Sequence, residues 1–445
     1  MSNISLSVQR VRKGGFWAIV GKVVAVAFGF SVSALLARLL DIDDLGLYFL
    51  AFSVVSAGVI LGQIGLDRTA VRQIAAAVGV GENEHCTAIV RTVLKWGVFS
   101  SLFVAVAFYF LVGEWLFVEV LNANVLASSI FWLALWVIFL VLESLVANIF
   151  RGFHDIKWAV SFSGAIRSGI LTLALFFLWV MPFGNVNLHD IFILSVCSGG
   201  ISALVGLFCL RRKISQYGDG RNYVPDKLIR SSLPMMVYAA MLYVVAQSNI
   251  WILGGFATKE DVALYGVAMR LVLLVGVSTS IVNAVIPPLI SEKYAQGELK
   301  SIEPLIRVAT TLCGLPAIAV LLIYIFGANW VLETVYGSPY KEASLVLIVL
   351  SFGELIKVLT GPCSIALNMT GHQVKLMKLG MARALASIVL SLIVVGEHGI
   401  LGVAGVYMVC LVLSDAVSLS LAKKHLGVWT IAGVKGMNQV IAAKV

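Results

Sequence analysis

Long apolar runs recur twelve times along this chain, and no other property of the sequence restricts its folding so severely. The hydrocarbon core of a bilayer is about 30 Å thick, so a helix rising about 1.5 Å per residue crosses it with about 20 apolar residues. Runs meeting that length occupy approximately 14 to 40, 45 to 66, 88 to 112, 124 to 149, 158 to 181, 188 to 210, 228 to 254, 262 to 288, 305 to 327, 343 to 367, 374 to 396 and 399 to 421. Composition agrees: 60% of residues are hydrophobic and 12% charged, against roughly 25% charged in soluble domains. The expected fold is an all-α polytopic membrane protein of about twelve spans.

The charges test that count independently. Alternate connections place Arg10, Arg12 and Lys13; Arg68, Arg72, Arg91 and Lys95; Arg151 and Lys157; and Arg211, Arg212, Lys213, Arg221, Lys227 and Arg230 on one side. The same side continues with Lys293, Lys300 and Arg307; Lys375 and Lys378; and Lys423, Lys424, Lys435 and Lys444. These are 24 of the 32 basic residues, whereas the opposite loops hold only Lys259 and Lys341 among eleven acids from Asp41 to Glu397. The positive-inside rule then puts both termini in the cytoplasm, and an odd span count breaks the pattern. The net charge of +9 is read as topology rather than nucleic-acid binding.

An acidic hairpin tip repeats across the chain. Asp43-Asp44-Leu45-Gly46-Leu47-Tyr48 lines up with Glu260-Asp261-Val262-Ala263-Leu264-Tyr265, 217 residues later. An offset of half the chain suggests two homologous helical bundles, with any transported cargo handled where they face each other. The expected division is an N-terminal six-helix bundle (1–210), a cytoplasmic linker (211–227), a C-terminal six-helix bundle (228–421) and a cytoplasmic tail (422–445). The first run is too long for a signal-peptide core and is expected to be a retained span. Short outer loops leave no room for a catalytic domain, and no G-x-x-x-x-G-K-[ST] is present, so neither an enzyme on lipid-linked sugars nor a nucleotide hydrolase is expected. The six cysteines show no metal or redox spacing, and no cofactor or metal is implied. Pro287-Pro288 is expected to end the eighth helix, and Pro316 and Gly361-Pro362 to kink the ninth and tenth.

Beyond the charges assigned above to the two faces, nine charged residues fall inside the spans: Lys22, Arg38, Glu143, Arg167, Arg270, Glu354, Lys357, Arg383 and Asp415. Each costs about 2.5 to 3.5 kcal/mol against lipid, so each should face protein or a wet cavity. Six are basic and three acidic, which suits an anionic headgroup. Arg38 is within reach of Asp41, and Glu354 and Lys357 share a helical face at i, i+3. Glu143 and Asp415 either pair with an arginine or carry a coupling proton. Lys22 and Arg270 have no acid three or four residues away and are candidate cavity contacts. Arg167, in Ser163-Gly164-Ala165-Ile166-Arg167, and Arg383, in Leu379-Gly380-Met381-Ala382-Arg383, stand at equivalent depth in the two halves, either on the cargo or as struts within their own bundles.

The hairpin tip, Gly65-Leu66-Asp67-Arg68-Thr69-Ala70-Val71-Arg72, Phe150-Arg151-Gly152 and the stretch from Leu253 to Arg270 together resemble the polysaccharide flippases. These are the O-antigen or Wzx-type transporters of the multidrug/oligosaccharidyl-lipid/polysaccharide superfamily. The resemblance implies two pseudo-symmetric six-helix bundles around a central cavity, alternating access and an inner-membrane location. It also implies a polyprenyl-diphosphate-linked oligosaccharide as cargo, bound by Lys22, Arg167, Arg270 and Arg383. Membrane lipids, a polysaccharide polymerase and chain-length machinery are the implied partners. A multidrug or toxin extruder of the same superfamily is the alternative, and the basic excess in the spans argues against it.

Overall fold

The computed structural model describes residues 2–181, 186–218, 228–296 and 299–433; some helical side chains, including that of Lys22, lie outside this description. Most of the linker expected at 211–227 and the end of the tail also lie outside it. Each of the twelve expected spans falls on helix, the tenth (343 to 367) being divided between two helices. The chain packs into two compact units, residues 1–247 and 248–445.

The first unit contains α1 (Ser2–Leu39), α2 (Ile42–Gln63), α3 (Leu66–Val80), α4 (Asn83–Val120), α5 (Ile130–Gly152), α6 (Ile156–Val180), α7 (Leu188–Ile214) and the start of α8 (Leu228–Phe256). Its centre is α5, which packs against α2, α3, α4 and α7. That explains why α5 is apolar around its circumference, with Trp136, Val141, Leu145 and Ile149 fully buried. The acidic tip opens α2, and Asp43 and Asp44 sit in its first turn, where negative charge complements the helix dipole. The next residues turn inward: Tyr48 is buried, 6.1 Å from the Phe192 ring and 6.2 Å from Trp136.

The arginine-bearing elbow after α2 forms a helix of its own. Ile64 (φ 49°) and Gly65 (φ 71°) both adopt left-handed backbone, and α3 follows with Leu66, Ala70, Ile74 and Ala77 buried and Arg68 and Arg72 exposed. Fifteen residues are too few to cross a bilayer. Gly65 sits directly against the Ser232 carbonyl of α8, where a Cβ has no room. Close approach recurs between α2 and α4, where the Ser100 hydroxyl donates to the Gly62 carbonyl.

The second unit contains the end of α8, then α9 (Lys259–Ala295), α10 (Glu303–Val335), α11 (Ser344–Thr360), α12 (Cys363–Met369) and α13 (Gln373–Leu426). The repeated tip caps α9 reciprocally: the Asp261 N–H donates to Thr258 Oγ1 at 3.1 Å, and the Thr258 N–H to Asp261 Oδ2 at 3.2 Å. Tyr265 is buried like Tyr48, and its hydroxyl accepts from Asn249 Nδ2 at 3.0 Å.

Proline placement differs from expectation. Pro287 and Pro288 lie inside α9, which continues to Ala295; proline's fixed φ is helical, and the two lost backbone bonds are tolerated in a membrane span. In α10 the non-helical residue is Gly327, not Pro316. Gly361, at φ 78°, ends α11 outright, and Pro362 precedes the separate helix α12. The eleventh and twelfth spans join without a loop. The 54 residues of α13 would be roughly 80 Å long if straight, far more than a bilayer, and the backbone breaks at Gly399 (φ 52°, ψ −143°). Beyond α13 the chain returns across helix ends, where Thr430 Oγ1 donates to the Thr360 carbonyl at 2.8 Å and the Ala432 N–H to the Leu359 carbonyl at 2.8 Å.

Candidate functional site

In the first unit, α6 is interrupted at Ser163 and Gly164 (φ 108°) before helix resumes at Ile166. Arg167 follows the break and reaches α5: its Nε donates to Glu143 Oε2 at 3.0 Å. The other carboxylate oxygen, Oε1, accepts from the Ser202 hydroxyl of α7 at 2.9 Å. Three helices thus meet at one carboxylate. Glu143 is 4% exposed and Arg167 18%, a burial at which removing one partner of an ion pair costs about 3 to 5 kcal/mol. Glycine is favoured at 164 by its positive φ alone, since a Cβ there would lie at an ordinary contact distance, 3.4 Å, from Arg167 Nη2.

Pairing uses only part of the guanidinium. Among the described residues no hydrogen bond is made by Nη1 or Nη2 of Arg167, and the side chain borders a cleft of about 390 Å³. The same cleft is lined by Arg151, Asn148, Phe52, Phe162 and Tyr243. Arg151 Nη1 donates to Asn148 Oδ1 at 2.6 Å, and the Tyr243 hydroxyl donates to the Ser53 carbonyl at 2.8 Å. The cleft therefore offers two guanidinium groups, an amide and aromatic faces. That is a donor set for a phosphate beside sugar rings.

In the second unit, Lys357 Nζ donates to Glu354 Oε1 at 2.8 Å along α11. Asp415 of α13 and Lys357 line one cavity. Arg383 is half-buried, its guanidinium carbon 5.7 Å from the centroid of Tyr407, a cation–π distance. Arg270 is half-buried on α9. Lys22 lies on α1, its side chain outside the described residues. The structure thus brings Glu143 together with Arg167, and Glu354 with Lys357, whereas Arg167 and Arg383 belong to separate units. Ser202, Asn148 and Tyr243 went unnoticed in the sequence, since a lone hydroxyl or amide in an apolar run carries no signal of its partner. Arg151 stands in the sequence as a topology charge and in the Phe150-Arg151-Gly152 motif, neither of which points to a site.

The family model described as polysaccharide biosynthesis protein matches residues 11–293, more than half of the chain. No curated protein matches. Among solved structures, an inward-facing multidrug resistance MATE family transporter of the MOP superfamily aligns over 91% of this chain and 94% of its own, at a TM-score of 0.76 and 16% identity. The lipid II flippase MurJ, in an inward closed conformation, aligns over 91% and 87% at 0.67 and 14% identity. A MOP superfamily transporter from Pyrococcus furiosus, described as having a binding pocket of reverse polarity, aligns over 94% and 95% at 0.65 and 15% identity. At such identities these neighbours establish a shared fold.

Proposed function

Because the chain belongs to the polysaccharide biosynthesis protein family, we propose that it is a flippase for polyprenyl-diphosphate-linked oligosaccharide. It carries an O-antigen or other surface-polysaccharide repeat unit from the cytoplasmic to the outer leaflet of the inner membrane, by alternating access, with both termini cytoplasmic. The observation that supports this reading is the half-used guanidinium of Arg167, with Nε held by Glu143, both Nη groups without a hydrogen bond among the described residues, and the side chain lining a cleft shared with Arg151. A fork oriented from behind and open in front suits bidentate recognition of a phosphate. Phe52, Phe162 and Tyr243 supply apolar faces for sugar rings. The fold shared with a protein named as a lipid II flippase is consistent with a lipid cargo.

In this reading Arg167 is a strut and a cargo ligand at once. Lys22, Arg270 and Arg383 are further cationic contacts along the path, and the linker at 211–227 joins the two six-helix halves. The test is reconstitution into liposomes with labelled lipid-linked oligosaccharide, scored by its accessibility to a sugar-modifying enzyme added outside. Protein-dependent exposure of intact cargo supports the proposal. Chemical breakdown of the cargo, or exposure no faster than in empty liposomes, overturns it.

A further inference from the structure

The two ends of α13 bring their basic residues into contact. His372 precedes the helix and His425 lies in its last turn, and their rings stack with centroids 5.0 Å apart. Lys375 Nζ, from the first turn, donates to His425 Nε2 at 2.8 Å. In the last turn Lys423 Nζ lies 3.5 Å from the Gly427 carbonyl and 5.2 Å from the centroid of Trp429. Lys300, from the turn Leu299–Ile302, reaches the same glycine, where a Cβ would stand 3.8 Å from its Nζ. Lys424 is exposed beside His425.

Among the described residues no acid answers these groups. The charged side chains acting on His425 are Lys375, His372 and Lys424, and none of the four lysines makes an ion pair; Glu303, in the first turn of α10, pairs with Arg307 at 3.8 Å. Orienting a membrane protein requires only that basic residues lie within about 15 to 20 residues of a span end. It does not call for holding them together, where like charges repel. The hydrogen-bond polarity is also one-sided. Thr370 Oγ1 donates its single hydrogen to the Ala366 carbonyl at 2.8 Å, so it accepts from His372 Nδ1 at 3.3 Å. The cluster therefore presents ammonium donors and an imidazole nitrogen that becomes a donor on protonation, the complement of a phosphate.

Its surroundings suit a lipid phosphate rather than a soluble one. Beside Lys375 and Lys378, the exposed residues Val374, Met377, Met381 and Leu385 follow one another at i, i+3, i+7 and i+11, an apolar stripe that runs from the cluster into the span. Trp429, under Lys423, is 38% exposed, and tryptophan favours the headgroup level of a bilayer. We propose that the cluster binds the phosphate of an anionic phospholipid, which bridges the first and last turns of α13 and lays one acyl chain along Val374, Met377 and Met381. The site stands on the second unit alone. That the lipid belongs to the cytoplasmic leaflet rests on the orientation proposed above.

Native mass spectrometry of the purified, delipidated full-length protein, titrated in neutral detergent with phosphatidylglycerol or phosphatidylcholine, tests the site. The wild type is expected to take up phosphatidylglycerol saturably and in preference to phosphatidylcholine. Lys375→Gln and Lys424→Gln should each weaken that uptake about fivefold, and together about 25-fold. Lys375→Arg and Lys424→Arg should retain it, and Lys95→Gln, an equal loss of charge on α4, should leave it unchanged. As a measurement that needs no variant, bound phosphatidylglycerol should slow acetylation of the exposed Lys375 and Lys424 relative to the exposed Lys95 in the wild type. Unchanged uptake in the double variant, an equal loss in Lys95→Gln, equal uptake of the two lipids, or no protection from acetylation overturns the site. Displacement by excess inorganic phosphate at constant ionic strength overturns it in favour of a soluble anion, and preference for polyprenyl diphosphate overturns it in favour of the cargo. Binding in detergent is blind to orientation, so a reversed topology would change the leaflet and not the site.

Discussion

Replacing Glu143 by Gln keeps the shape of the side chain and removes the charge that holds Arg167. A broken buried pair costs about 3 to 5 kcal/mol, and the lower end applies because Arg167 keeps 18% exposure on its cleft side. About 3 kcal/mol is a large part of a typical stability of roughly 5 to 15 kcal/mol. At about 2 to 4 °C per kcal/mol for a unit of this size, the melting temperature should fall by roughly 6 to 12 °C. Arg167→Leu should cost more, about 5 kcal/mol, because it leaves Glu143, 4% exposed, with Ser202 as its remaining partner. Combining Glu143→Gln with Arg167→Leu removes both buried charges and should recover part of the loss, giving a coupling energy of at least about 2 kcal/mol in the double-mutant cycle. Melting curves of the four proteins in one detergent, read beside liposome transport, separate the roles of Arg167. The double variant should be stable and inactive. Restored transport would reduce Arg167 to a strut, and additive single losses would refute the energetic link between the two side chains.

Three further outcomes are expected. Gly65→Ala places a Cβ against the Ser232 carbonyl in left-handed backbone and should cost about 2 to 3 kcal/mol; an unchanged melting temperature contradicts the close approach of α3's entry to α8. With both termini cytoplasmic, a cysteine at position 43 should react with a membrane-impermeant thiol reagent added outside intact cells, and reaction only in inverted vesicles would reverse the topology. An inside-negative potential should favour outward movement of the anionic cargo by about 2.3 kcal/mol per net charge per 100 mV. Indifference to an imposed potential would mean that loaded and empty carriers move equal charge.

The spans were legible because membrane thickness fixes a length, and length is a property of contiguous sequence. The two acidic tips were legible for a similar reason, since capping and the helix dipole act within one turn, as at Thr258 and Asp261. Other features depend on contacts that sequence order does not display. Glu143 and Arg167 meet across 24 residues, and their third partner, Ser202, is one serine among many in apolar runs. The helix after Gly65 was hidden because its fifteen residues alternate between packing and exposure without the length of a span. Asp415 and Glu143 looked alike as lone acids in apolar surroundings; what separates them is that Arg167 and Ser202 bond to both oxygens of Glu143, whereas among the described residues Asp415 Oδ2 has no hydrogen-bond partner. Proline proved a poor guide to helix ends, because α9 absorbs Pro287 and Pro288 while glycines at 361 and 399 end or break helices.

The joint at Gly399 has a mechanical consequence. A loop between two spans is a slack tether whose many torsions absorb relative movement. Here φ and ψ of one residue take the place of that tether, so a change in the angle between the eleventh and twelfth spans is concentrated in a single pair of torsions. The torsion pair lies close to territory open essentially to glycine alone, which makes the joint a property of a residue with no side chain. The twelfth span carries Asp415 and the eleventh carries Arg383, so the two groups sit on arms of one lever with its fulcrum at position 399.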